Sequence, residues 1–225
     1  MSATLLPAVE LSSGPTPTHA VIWLHGLGAD GHDFEPVVDE FDLDRLPPTR
    51  FVFPHAPERA VTINGGYVVR AWYDILSQDF SGRREDAAGV IESAAQVEAL
   101  IARENARGIP DQRIVLAGFS QGGAIALHTA LRHGSRLAGV LALSTYLPLA
   151  DTLAAEASAA NRDVPIFMAH GTHDPVIPHD FSRRSAEQLT EAGYPLVWKS
   201  YRMEHSLCLE EVRDIEDWLA AVLTA

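Results

Sequence analysis

The chain has 225 residues, 47% of them hydrophobic and 21% charged, a balance that suits one globular α/β domain spanning 1–225. Its 30 acidic and 17 basic residues leave a formal net charge of −13, which argues against nucleic-acid partners and against attraction to anionic lipid headgroups. The single cysteine, Cys208, excludes an internal disulfide and fits a cytoplasmic location, and neither a signal peptide nor a membrane-spanning apolar run is predicted.

In chain order, residues 5–11 are expected to form an antiparallel edge strand, and short apolar runs predict buried strands at 20–24, 50–53, 113–118, 137–143, 165–170 and 196–201. Between them lie amphipathic stretches. The clearest helix is predicted over 85–107, where Ala87, Val90, Ala94, Val97 and Ile101 recur three and four residues apart, and Gly108-Ile109-Pro110 ends it. Further helices are predicted at 121–133, 179–192 and 207–223. Arg83-Arg84, the one basic cluster of note, sits beside Glu85 and Asp86 and reads as a solvated helix start. No internal repeat is visible, and Pro/Gly-rich stretches such as 12–18 are too short to link domains. Alternating strands and helices imply a mostly parallel twisted sheet with helices on both faces.

Gly118-Phe119-Ser120-Gln121-Gly122 joins a predicted strand to a predicted helix, which is the setting of a nucleophile elbow. Glycines on both sides of the serine let strand and helix approach while the hydroxyl stands at the C-terminal edge of the sheet. A serine hydroxyl needs a base within reach, and the base needs an orienting acceptor. The turn Gly171-Thr172-His173-Asp174-Pro175 follows one later strand, and Arg202-Met203-Glu204-His205-Ser206 follows the last. The order Ser120, Asp174, His205 is that of an α/β-hydrolase fold, so these three are the candidate catalytic residues. The oxyanion donors are assigned to the backbone N–H groups of Gln121, next to the nucleophile, and Leu27, in the turn His25-Gly26-Leu27-Gly28. That turn lacks the Lys-Ser or Lys-Thr of a phosphate loop, and His25 is read as a brace for it.

His170, His173 and Asp174 are the tightest candidate metal cluster, but no His-Glu-x-x-His pattern accompanies them, and neither metal nor cofactor is expected. Cys208 is expected to be a buried helix residue and not a thiol nucleophile.

The segments HGLGADG, APERAVTINGGY, AWYDI, GIPDQRI, GFSQGGA, LAGVLALSTYLP, HGTHDPVIP and MEHSLC together resemble the carboxylesterase and acyl-protein thioesterase family of small serine hydrolases, over residues 18–223. The resemblance implies the same triad and the same Leu27 oxyanion donor, with an acyl pocket covered by the loop 63–72 and no large cap domain. It also implies substrates among short and medium acyl esters, lysophospholipids and acyl thioesters on proteins.

Val68, Val69, Trp72, Tyr146, Leu147 and Met203 are expected to bind substrate, because they lie on loops that surround the serine in this fold. The expected function is a serine carboxylesterase acting on short to medium acyl esters through an acyl-enzyme. The alternatives are an acyl-protein thioesterase or lysophospholipase and, outside enzymes, a ligand-binding pseudo-hydrolase. A homodimer is left open.

Overall fold

The computed structural model describes residues 5–77 and 84–224; Arg83 of the basic pair lies outside the described residues. In chain order the elements are β1 (Ala8–Ser12), β2 (His19–Leu24), α1 (Glu35–Val38), β3 (Thr49–Pro54), β4 (Glu58–Val61), β5 (Tyr67–Arg70), α2 (Ala87–Ala106), β6 (Ile114–Phe119), α3 (Gln121–Arg132), β7 (Gly139–Leu143), α4 (Ala150–Glu156), β8 (Ile166–Gly171), α5 (His179–Glu191), β9 (Leu196–Tyr201) and α6 (Leu209–Leu223). The main sheet has seven strands in the order β1-β3-β2-β6-β7-β8-β9. Only β1 runs antiparallel to its neighbour, with Val9 opposite Phe53. The rest pair in parallel, in registers such as Leu24 with Gly118 and Gly171 with Tyr201.

Strand alternation splits the apolar residues between two cores. Ile22, Leu24 and Leu116 point to one face, where Val97 and Leu100 of α2, Ile125 of α3 and Leu189 of α5 cover them. Val21, Trp23, Val115 and Ala117 point to the other, under Val38 of α1 and Val212, Ile215 and Leu219 of α6. The central strands are therefore apolar throughout, because helices cover both faces. The predicted stripe on α2 is realised by Val90, Val97 and Ile101, whereas Ala87, its first residue, is exposed. The Asp86 carboxylate caps this helix by accepting from the Gly89 N–H at 2.9 Å.

A two-stranded hairpin, β4 paired with β5, stands apart from the main sheet. Gly65 and Gly66 connect its strands with φ of 67° and 81°, a left-handed backbone that glycine adopts without steric cost. Among the described residues, no helix is long and apolar enough to cross a membrane.

Consecutive connections leave β2 toward β3 on one side and reach β6 on the other. The chain thus reverses direction across the sheet between β2 and β6, where open α/β sheets form a crevice at the strands' carboxyl ends.

Candidate active site

Ser120 lies at that crevice, between the last residue of β6 and the first of α3, with φ 54° and ψ −120°. This conformation strains any residue with a Cβ, on the order of 1–3 kcal/mol. The surroundings hold it: the Ser120 N–H donates to Leu143 O at 2.8 Å, and Ser120 O accepts from Thr145 Oγ1 at 2.6 Å and from the Ala124 N–H at 3.1 Å. The flanking glycines are required by close approach. A Cβ on Gly118 would overlap the Gly122 backbone, and one on Gly122 would overlap Leu24 O and come within 2.6 Å of His25 O.

The acid and the imidazole arrive on two loops stitched together by backbone bonds. Thr172 N–H donates to Tyr201 O at 2.8 Å and His173 N–H to Met203 O at 3.0 Å, which brings the turn after β8 against the segment after β9. Asp174 thereby meets His205, whose Nδ1 lies 2.6 Å from Asp174 Oδ2. A carboxylate can only accept here, so the His205 proton sits on Nδ1 and Nε2 is left as an acceptor. His205 and Ser120 line the same cavity, and the Phe119 ring packs 4.7 Å from the imidazole centroid. The Asp174 side chain is fully buried. Burial pushes its carboxyl pKa up, but hydrogen bonds from His170, His205 and the Ile177 N–H outweigh burial and hold it well below the usual carboxylate range.

The turn after β2 supplies the opposite wall. His25 is buried and its Nδ1–H donates to Gly26 O at 2.7 Å, while Nε2 accepts from the Ala56 N–H at 3.0 Å. Burial lowers its pKa to about 4, so the ring is neutral, as a brace must be. Gly28, with φ 77°, ties the turn to the hairpin through its N–H and Arg70 O at 2.8 Å. Leu27 and Gln121 both border the cavity beside Ser120.

The cavity measures about 680 Å³, within the range of ligand pockets, roughly 300–1,000 Å³. Ile63, Ile75, Val176, Ile177 and Pro178 make much of its wall apolar, and Tyr73 and Tyr146 meet within it through hydroxyls 2.5 Å apart. Of the six residues expected to bind substrate, Tyr146 lines the cavity and the other five are placed elsewhere. Trp72 is fully buried, donating from Nε1 to His25 O at 2.8 Å, so the indole supports the turn from behind. Val68 lies 64% exposed on β5, and Val69 is half-buried beside it. Leu147 packs into one core, and its N–H donates to Ser185 Oγ. Met203 packs into the other core with Phe119 and Tyr201. Period and spacing place these residues near the serine in the chain's path, but which side of the backbone faces the cavity is set by tertiary packing.

Two features of the site had no local signal. The Gln121 side chain clamps the segment after β5, its Oε1 accepting from the Trp72 N–H at 3.0 Å and its Nε2 donating to Tyr73 O at 2.7 Å. His170, a candidate metal ligand by sequence, instead donates from Nε2 to Ile177 O at 2.9 Å and lies 3.1 Å from Asp174 Oδ2. His173 is exposed, next to Thr172 Oγ1. Among the described residues, no three His, Cys, Asp or Glu side chains converge to hold a metal ion. Cys208 is half-buried at the N-cap of α6 and not in the helix interior.

Residues 7–223 match the model of a family described as phospholipase/carboxylesterase. The chain belongs to that family. It is therefore an enzyme of a hydrolase family, with the α/β-hydrolase architecture. Among its relatives, acyl-protein thioesterase 1 of Neurospora crassa is 42% identical over 223 residues, covering 96% of this chain and 89% of the relative. The solved structure of Zea mays acyl-protein thioesterase 2 superposes with a TM-score of 0.83 at 30% identity, covering 96% of this chain and 100% of that one. Arabidopsis thaliana SOBER1 superposes with a TM-score of 0.86 at 31% identity, covering 91% and 99%. These relatives support the acyl-protein thioesterase alternative better than the carboxylesterase for short to medium acyl esters expected from sequence, without contradicting the latter.

Proposed function

We propose that the protein hydrolyses acyl thioesters, and oxyesters by the same machinery, through an acyl-enzyme on Ser120. This reading reverses the order of preference drawn from sequence. The observation that carries it is the union of an elbow serine, an Asp174-oriented imidazole and an apolar cavity of about 680 Å³ in one crevice. The relatives named as acyl-protein thioesterases support the thioester preference.

In the proposed sequence, His205 Nε2 takes the Ser120 proton as Oγ adds to the acyl carbonyl carbon. The negative charge that forms on the carbonyl oxygen meets the Leu27 and Gln121 N–H groups and the positive end of α3. Collapse of the adduct breaks the bond to the leaving thiolate or alkoxide, which receives the proton from His205. Water then repeats the cycle on the acyl-enzyme and frees the carboxylic acid. Asp174 stays ionised throughout and stabilises the imidazolium that forms twice. The low pKa of its carboxyl suits that role.

The test is a matched pair of substrates carrying one acyl chain, as a thioester and as an oxyester, assayed with the wild type and with Ser120→Ala. The reading expects kcat/KM to favour the thioester and both activities to vanish in the variant. Oxyester turnover that exceeds thioester turnover at every chain length returns the protein to the carboxylesterase reading.

A further inference from the structure

His170 occupies the last turn-facing position of β8 but one, and its side chain is fully buried. It is not among the residues that line the cavity shared by Ser120 and His205. Its Nε2 faces two acceptors, Ile177 O at 2.9 Å and Asp174 Oδ2 at 3.1 Å. A carbonyl oxygen cannot donate, so Nε2 carries a proton and the ring is the Nε2–H tautomer. Nδ1 is buried and has no partner among the described residues, which disfavours a second proton there. The ring is fixed in place: Trp198 of β9 stacks on it, 6.4 Å between centroids and 16° between planes, and His179 of α5 meets it edge-on. Asp174 Oδ2 is thus shared by two imidazoles, with Nδ1 of His205 at 2.6 Å and Nε2 of His170 at 3.1 Å. Oδ1 is already saturated by the N–H groups of Val176 and Ile177 at 2.8 and 2.9 Å.

We infer that His170 is a positioning residue for the acyl-transfer reaction: its single N–H ties the Asp174 carboxylate to the carbonyl of Ile177, fixing the plane of the carboxylate and setting how strongly it attracts the His205 proton. The inference rests on the triad reading above. Val176 and Ile177 also border the cavity, so the same N–H anchors part of the acyl-binding wall to the acid.

The electrostatic consequence has a definite sign. A donor on Oδ2 draws charge from the carboxylate and weakens its hold on a protonated His205. The other ionisable groups around this cluster are His179 beside His170, Asp33 across the cavity, and His173 and Glu204 in the flanking turns. His170→Phe keeps a flat ring against Trp198 and removes the donor. Asp174 then carries its full charge toward His205, and the acid-side midpoint of kcat/KM moves up by roughly half a pH unit or more. The rate at the optimum falls about tenfold to a hundredfold, mainly in kcat, the scale of losing one hydrogen bond to a charged group. His170→Gln, which restores an N–H, recovers much of the rate and returns the midpoint toward wild type. A residue that merely fills space behaves otherwise: slackening of the turn lets Asp174 drift from His205, which moves the midpoint down, and Phe performs better than Gln.

The experiment pairs these profiles with ¹⁵N spectroscopy of the histidines in the wild type and in His170→Phe, of which the wild-type arm needs neither turnover nor a variant that folds. The expected result is His170 as a neutral Nε2–H tautomer across the active pH range, with the His205 titration moved up in His170→Phe. A wild-type His170 protonated on Nδ1, or a His205 titration that is unmoved or moved down in the variant, overturns the inference. If the imidazole titrations follow expectation but Ser120→Ala retains full turnover, the acyl-enzyme reading fails instead, so the two failures are distinguishable.

Discussion

Gly122→Ala probes the elbow directly, because it adds one methyl group where strand, helix and oxyanion turn converge. The new Cβ would overlap Leu24 O and come within 2.6 Å of His25 O, and both are backbone atoms that cannot rotate away. Ordinary van der Waals contact begins at 3.4 Å, about an ångström more, so α3 and the turn after β2 must separate. Overpacking of this kind costs about 1–3 kcal/mol. For a chain of this size, each kcal/mol lowers Tm by about 2–4 °C. The effect on rate is the larger one, since Leu27 and Gln121 sit on the two parts that are pushed apart, and misplacing catalytic groups by about 1 Å costs roughly 10²-fold. Thermal melts and steady-state kinetics on one thioester measure both losses, with Gly134→Ala as the control: Gly134 has ordinary φ and nothing within 4 Å of an added Cβ. Expected are a near-neutral control and a Gly122→Ala enzyme whose kcat falls far more than its Tm. A fully active Gly122→Ala enzyme with an unchanged Tm refutes the close strand–helix approach on which the site geometry depends.

Other outcomes follow from the same structure. Burial pushes the Glu211 carboxyl up from 4.5 to about 8, the Cys208 backbone N–H opposing this and Asp214 reinforcing it. Between those values the unfolded chain has released a proton that the native protein keeps, so stability is full below the lower value and falls as pH rises through the window. Glu211→Gln should flatten the Tm–pH curve there, and an equally steep curve in the variant would contradict the assignment. Trp72→Ala should lower kcat/KM about equally for acetyl and octanoyl esters, since the indole braces His25 and does not touch the acyl chain; a loss confined to the long esters would return Trp72 to the pocket wall. Across a series of unbranched acyl esters, kcat/KM should rise by up to about fourfold per methylene, from ~0.8 kcal/mol of burial each, until the Tyr73–Tyr146 pair is reached. Double substitution of those tyrosines to alanine should extend the rise to longer chains, and an unchanged optimum would place the acyl group elsewhere.

Much of this architecture was legible in local pattern. The six parallel strands read as short apolar runs because helices cover both faces of the sheet, and each expected limit lies within one residue of the observed one except the start of the 137–143 run, which is two residues early. That run begins early because Leu137 and Ala138 are buried before pairing starts at Gly139. The edge strand, expected at 5–11, is β1 at Ala8–Ser12, shifted toward the chain's C-terminus by pairing with β3. The hairpin of β4 and β5 has no apolar run to announce it, because Glu58–Val61 is half polar and only Val61 is buried. The elbow and its partners could be read because order and spacing carry that chemistry. The pocket could not: Tyr73 and Ile75 come from the segment after β5 and Ile177 from the loop after β8, and only the folded backbone turns them inward. The role of His170 is illegible for a related reason: its proximity in sequence to His173 makes the two part of the tightest candidate metal cluster, for which no metal is expected, and only the folded strand end shows one ring in the core and the other in solvent.

The most direct test of the central claim is mass spectrometry of the protein quenched during turnover of an acyl thioester. An added mass equal to the acyl group is predicted on the peptide that contains Ser120, absent from Ser120→Ala and accumulating in His205→Ala only slowly. An acyl group on Cys208 or any other residue, or undiminished turnover by Ser120→Ala with no acylated species, would contradict it.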